Sequence, residues 1–151
     1  MDKIIYETAS YPLSVLAFEE LQALSQVVFD SSDALDSRWR LDNMPDPSGF
    51  LARCEGQLVG FKLGYAVTSS RYYSWLGGIN PEFRKLGIAQ TLMAQQHKWI
   101  EKQGYRVIET EVREQNKGMI HLNTVSGFSR IGSKRVKGNK VLILRKQILR
   151  G

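Results

Sequence analysis

Residues 72–91 constrain the fold more than any other part of the chain. A run of strand-forming residues, 72–79, stops at Pro81, crosses a basic loop containing Arg84 and Lys85, and enters a helical apolar pattern at Ile88. Proline cannot donate to a sheet ladder, so the strand ends there. Gly87 stands just before the helix, where a residue without Cβ lets a bulky group approach the backbone. The first N–H groups of a helix have no internal partners, and with the positive helix end they make an anion site. Small Ala89 and hydroxyl-bearing Thr91 suit a phosphate resting on the first turn. The plain alternative is an ordinary basic loop with a glycine in it.

The rest of the chain supplies a frame for that unit. Residues 3–8 read as a strand, and Leu13, Leu16, Ala17, Leu21, Leu24 and Val28 give helical spacing over 13–29. A second, shorter helix is expected over 31–41, then a loop over 43–49 with two prolines and a glycine. Strands are predicted at 50–54 and 58–67, joined as a hairpin, and then at 72–79. The helix over 86–103 has Ile88, Ala89, Leu92, Met93, Trp99 and Ile100 as its apolar face, and Gly104 ends it. A strand at 106–112, a short helix at 116–126 capped by Asn116, and strands at 128–135 and 140–148 complete the order. Strands joined by tight turns are antiparallel, whereas the strand–helix–strand step at 72–112 requires a right-handed parallel crossover. At 151 residues the chain forms one domain, 1–151. The expectation is an α/β fold, with a mixed, mostly antiparallel sheet of about seven strands and helices on both faces.

Charge is segregated. Residues 1–50 hold nine acids and three bases, and the remainder holds eighteen bases and six acids, giving −6 and +12. The first part repels phosphates and the second attracts them, unless the pattern is only a solubilising surface. No apolar run reaches the roughly 18 residues that span a bilayer, so no membrane partner is expected. The N-terminus lacks the basic-then-apolar order of a signal peptide. One cysteine, Cys54, excludes an internal disulfide, and a reducing cytoplasmic setting is the simplest. As a nucleophile Cys54 has only His97 and His121 to serve it. No metal is expected.

The run Arg84-Lys85-Leu86-Gly87-Ile88-Ala89 resembles the Gln/Arg-x-x-Gly-x-Gly/Ala signature of the GNAT (GCN5-related) N-acetyltransferases. Ile79-Asn80-Pro81-Glu82-Phe83 is similar to that family's apolar-x-Pro-x-aromatic lead-in. Asn116-x-x-Met119 and Gly127-Phe128 resemble its second segment. The likeness is firm over 72–135, and strand order extends it to most of the chain. It implies an acetyl-CoA-dependent N-acetyltransferase, with the donor in a gap between strands 72–79 and 106–112. The pantetheine arm would pair with backbone along Gly77, Gly78 and Ile79. The pyrophosphate would sit on N–H groups of Arg84, Lys85, Leu86, Gly87, Ile88, Ala89, Gln90 and Thr91. Asn116 would lie near the pantetheine or the leaving sulfur. A primary amine, on a small molecule or a protein, would attack the thioester directly in a ternary complex. Backbone donors near Gly78 or Ile79 would hold the oxyanion.

Catalytic groups are less marked. A protonated amine needs a base or a water chain. Glu109 and Glu111 share one strand face beside the gap and are the candidates, although both are equally read as solvated or paired with Arg106 or Arg113. His97 falls on the polar face of the long helix by periodicity. The family's short helix often carries a tyrosine as acid for the thiolate. Asn123 stands there instead, and an amide can donate to sulfur or hold water but supplies no acidic proton. Trp39 and Trp75 are candidate substrate-binding residues, with Arg40 beside Trp39. Asp30, Asp33, Asp36, Asp42 and Asp46 would face an amine. Two rivals are a non-catalytic acyl-CoA-binding domain and a nucleic-acid binder using bases such as Arg130, Lys134 and Arg135. The second lacks the aromatic spacing of a known RNA-reading sheet. Strand 140–148, read as an exposed edge, offers a route to a homodimer.

Overall fold

The computed structural model describes residues 3–29 and 43–148. The helix expected over 31–41, with Trp39, Arg40, Asp30, Asp33, Asp36 and Asp42, lies outside the described residues. Elements run β1 (Ile4–Thr8), α1 (Val15–Phe29), β2 (Ser48–Cys54), β3 (Gln57–Ala66), β4 (Arg71–Ile79), a short 3-10 turn (Pro81–Phe83), α2 (Ile88–Lys102), β5 (Val107–Arg113), α3 (Lys117–Val125), β6 (Ser129–Val136) and β7 (Asn139–Gln147). The seven strands form one mixed sheet in the order β1-β2-β3-β4-β5-β7-β6. Among the described residues only the β4–β5 pairing is parallel, and α2 is the crossover between those strands. Among the described residues, no helix is long and apolar enough to cross a membrane.

Alternation along the strands explains the layers, because successive side chains point to opposite faces. Leu51 of β2 and Phe61 and Leu63 of β3 meet Leu21 and Leu24 of α1 on one face. Phe50, Ala52 and Val59 meet Ile88 and Leu92 of α2 on the other. A second cluster on the α2 side joins Tyr72, Ile100, Ile108, Phe128, Leu142 and Leu144. In α2, Ile88, Leu92, Met93 and Ile100 are at most 3% exposed. Burying each stabilises the fold by on the order of 2 kcal/mol.

Two sequence expectations change. The strand read over 140–148 as an edge is internal: β7 pairs with β5 from Val107↔Gln147 to Arg113↔Val141 and with β6 on its other side. The final hairpin folds back so that buried Val141, Leu142 and Leu144 are covered, which leaves β1 and β6 at the edges. His97 is partly buried rather than on a solvated face. Its ring lies 5.5 Å from that of Phe128, and its Nδ1 is 3.1 Å from Lys146 Nζ. Helical periodicity could not reveal that the end of the sheet covers this part of α2.

Candidate active site at a fork in the sheet

β4 and β5 pair only from Arg71↔Val107 to Ser74↔Thr110. Beyond that point β4 continues to Ile79 against β3 alone, and β5 continues to Arg113 against β7. A register shift accompanies the divergence: Gly64 faces Ser74 and Leu63 faces Leu76, so Trp75 is the extra residue of a bulge. A bulge bends its strand and raises the local twist. Thr110 Oγ1 donates to Ser74 O at 2.9 Å, so a side chain closes the ladder where the strands part.

The fork opens into a cavity of about 450 Å³, within the range of small-molecule sites. Six of the predicted donor-binding residues line it: Gly77, Gly78, Ile79, Arg84, Ala89 and Asn116. Val28 and Phe29 of α1, Leu92 and Met93 of α2, and Met119 and Leu122 of α3 make the apolar part of its wall. The other predicted residues of the loop and first helical turn do not line it. Lys85 and Gly87 have positive φ, 65° and 80°, which turns successive amides toward the same side. Among the described residues, no backbone N–H from Lys85 to Gln90 meets an acceptor. The N–H groups of Arg84 and Thr91 are directed inward, to Pro81 O at 3.5 Å and Gly87 O at 3.0 Å. The available donors are therefore Lys85 to Gln90, a shorter run than expected. Leu86 is 63% exposed, Ile88 points its side chain into the core, and Thr91 Oγ1 bonds Gly87 O at 2.9 Å.

Asn116 caps α3, its side chain accepting from Met119 N at 3.2 Å. Asn123 is 1% exposed, and its Nδ2 donates to Met119 O at 2.7 Å. One of its two amide hydrogens is thus engaged within its own helix.

Glu109 and Glu111 share a face of β5, with buried Thr110 between them pointing the other way, and they line a second cavity of about 180 Å³ with Tyr73, Val67 and Ile143. Their partners are not Arg106 or Arg113. Glu109 Oε1 is bound by Arg71 at 3.0 Å and Arg145 at 2.9 Å, and Glu111 by Lys134 at 2.8 Å. Trp75 packs beside Tyr65 and the α1 cluster and does not line the fork cavity. Exposed Asp46 accepts from Tyr105 OH through its carboxylate at 2.6 Å.

Sequence reasoning missed Lys62. It lies on β3 between Phe61 and Leu63, is 8% exposed, and lines the fork cavity together with Phe61. A Cβ at Gly77 would fall 2.9 Å from Lys62 Cδ and 3.5 Å from Nζ, so the lysine stem lies directly over this glycine and would have to shift for any larger residue. Burial pushes the Lys62 ammonium down to about 8. The signal was present as the one charged residue in the run Gln57–Ala66, but its direction depended on register.

Residues 16–128 match the model of the Acetyltransferase (GNAT) family. Among solved structures, the ribosomal-protein-S18-alanine N-acetyltransferase of Escherichia coli superposes with a TM-score of 0.80 at 17% identity, over 97% of this chain and 96% of that one. Arabidopsis thaliana NAA60 in complex with acetyl-CoA gives a TM-score of 0.77 at 17% identity, over 97% and 99%. A GNAT family acetyltransferase of Elizabethkingia anophelis with acetyl-CoA bound gives 0.73 at 12%, over 98% and 100%. At these identities the likeness is one of fold. Comparison with curated protein sequences finds no match.

Proposed function

Because the chain belongs to the Acetyltransferase (GNAT) family, we propose that it transfers an acetyl group from acetyl-CoA to a primary amine, by direct attack in a ternary complex. The observation that carries this reading is the fork: an unpaired β4 edge at Gly77 to Ile79 leads to amide donors at the start of α2. Such an edge pairs with the amides of a pantetheine arm as a strand would, and the loop with Arg84 holds a pyrophosphate. Acetyl-CoA bound to two structures of the same fold supports the donor. The backbone near Gly78 and Ile79 then stabilises the oxyanion.

On this reading the acceptor approaches from the side of Glu111. Glu109 is held by two arginines, whereas Glu111 has one lysine contact and a side chain 30% exposed, so Glu111 is the better relay for the amine proton. A protein amine as acceptor draws support from the name of the Escherichia coli structure alone. A non-catalytic acyl-CoA-binding role is the second reading, favoured by the engagement of Asn123 within α3.

The test is a thermal melt with acetyl-CoA, followed by thiol release with a panel of amines. Acetyl-CoA at about 100 times its Kd should stabilise the protein by about 2.7 kcal/mol. No shift at millimolar donor would overturn both readings. A shift without thiol release from any amine, peptide N-terminus or protein lysine would leave the binder.

A further inference from the structure

Lys62 is a buried cation that the donor site does not obviously require. It is 8% exposed, it lines the fork cavity, and burial alone, with no carboxylate partner among the described residues, accounts for its lowered pKa. Its stem lies over Gly77, the residue paired with it in the sheet. The amine therefore emerges beside the stretch that the thioester end of an acyl donor would follow. Across the cavity, α3 presents Asn116, Met119 and Leu122, none of them an acid, and Asn123 is tied to Met119 O.

We propose that Lys62 donates a proton to the departing thiolate, a role that rests on the acetyl-transfer reading above. The acceptor nitrogen bonds to the carbonyl carbon, and the tetrahedral oxyanion collapses. The C–S bond breaks with its electron pair passing to sulfur. The Lys62 ammonium then transfers a proton to sulfur and becomes a neutral amine. The proton lost by the acceptor leaves through the base to solvent, and solvent reprotonates Lys62. The products are an amide and a neutral thiol, and no further reactant is needed.

The chemistry favours this assignment. A thiol ionises near 8.5, and burial brings Lys62 to about 8, so the transfer is close to balanced. Other titratable groups around it fit the role. Arg84 lines the same cavity from the loop. His97 of α2 is pushed down to about 3, first by burial and then by Lys146 and Lys62, so it is neutral where turnover would be measured. α1 contributes Val28 and Phe29, which do not titrate.

Lys62→Met and Lys62→Arg should both lower kcat, the first by about 100-fold, with KM for acetyl-CoA changed only a few-fold. The wild-type kcat should fall as pH rises through about 8, where Lys62 loses its proton. Neither variant should show that alkaline limb, since a guanidinium keeps its proton. A second readout needs no acceptor: the thiol of bound CoA, followed by thiolate ultraviolet absorbance, should ionise below its solution value in wild type but not in Lys62→Met. Melting of each variant with acetyl-CoA confirms that the cavity still forms. Wild-type kcat, limb and thiol ionisation retained in Lys62→Met would overturn the proposal while leaving acetyl transfer intact. Acetylation of Lys62 itself by donor alone, seen by intact-protein mass, would make it an acceptor and also overturn it. Failure of wild type to bind acetyl-CoA would overturn the acetyl-transfer reading and this one together.

Discussion

Gly87 shows how much one residue settles. Its φ of 80° is a left-handed value at the N-cap of α2, yet a Cβ there would meet nothing within 4 Å. Backbone strain, rather than crowding from the protein, is the cost of replacing it. Gly87→Ala should cost about 1 kcal/mol and keep most donor affinity. Gly87→Glu should carry the same strain but place a carboxylate at the amide donors, weakening acetyl-CoA roughly 100-fold, or about 2.7 kcal/mol. Titration calorimetry on both variants separates the effects, and equal affinities would remove the pyrophosphate from this loop. Gly87 was legible in the sequence because strand, proline, basic loop and helix start are all local. Lys62 was not, since a lysine within an apolar strand gains a meaning only from the Gly77 opposite it.

At the level of elements, the decisive feature is where β4 and β5 stop pairing. Thr110 Oγ1 satisfies Ser74 O at that point, and both residues are buried. Thr110→Val should leave the carbonyl without that donor and cost about 1–3 kcal/mol, read from urea unfolding. Thr110→Ser should recover much of the loss. Stability equal to wild type in the valine variant would mean that the hydroxyl does not hold the fork. The order of strands and the parallel crossover were readable from turn lengths and periodicity. The bulge at Trp75 and the insertion of β7 beside β5 were not, because each depends on which distant strand supplies the partner. The same reason moved Glu109 and Glu111 from their expected neighbours to Arg71, Arg145 and Lys134, which come from other strands.

Across the whole molecule, acid should act through His97. The folded protein holds this imidazole down to about 3, through burial first and then Lys146 and Lys62, against 6.5 when exposed. Between those values the unfolded chain binds the extra proton. The neutral ring's contribution is fully present above about 6.5 and is lost as pH falls. By pH 5 the loss should be on the order of 2 kcal/mol. Melting temperatures from pH 7 to pH 5 should drop more steeply for wild type than for His97→Gln, and parallel slopes would clear His97 of this role. The fork carries a consequence at this scale too. Among the described residues, the four-stranded and three-stranded portions of the sheet are laddered together only through Arg71 to Ser74. That seam is short, and on the proposed reading the acyl donor lies across it like a staple. Substrate then becomes a temporary structural member, and its departure lets the two portions loosen along the line from which product must leave.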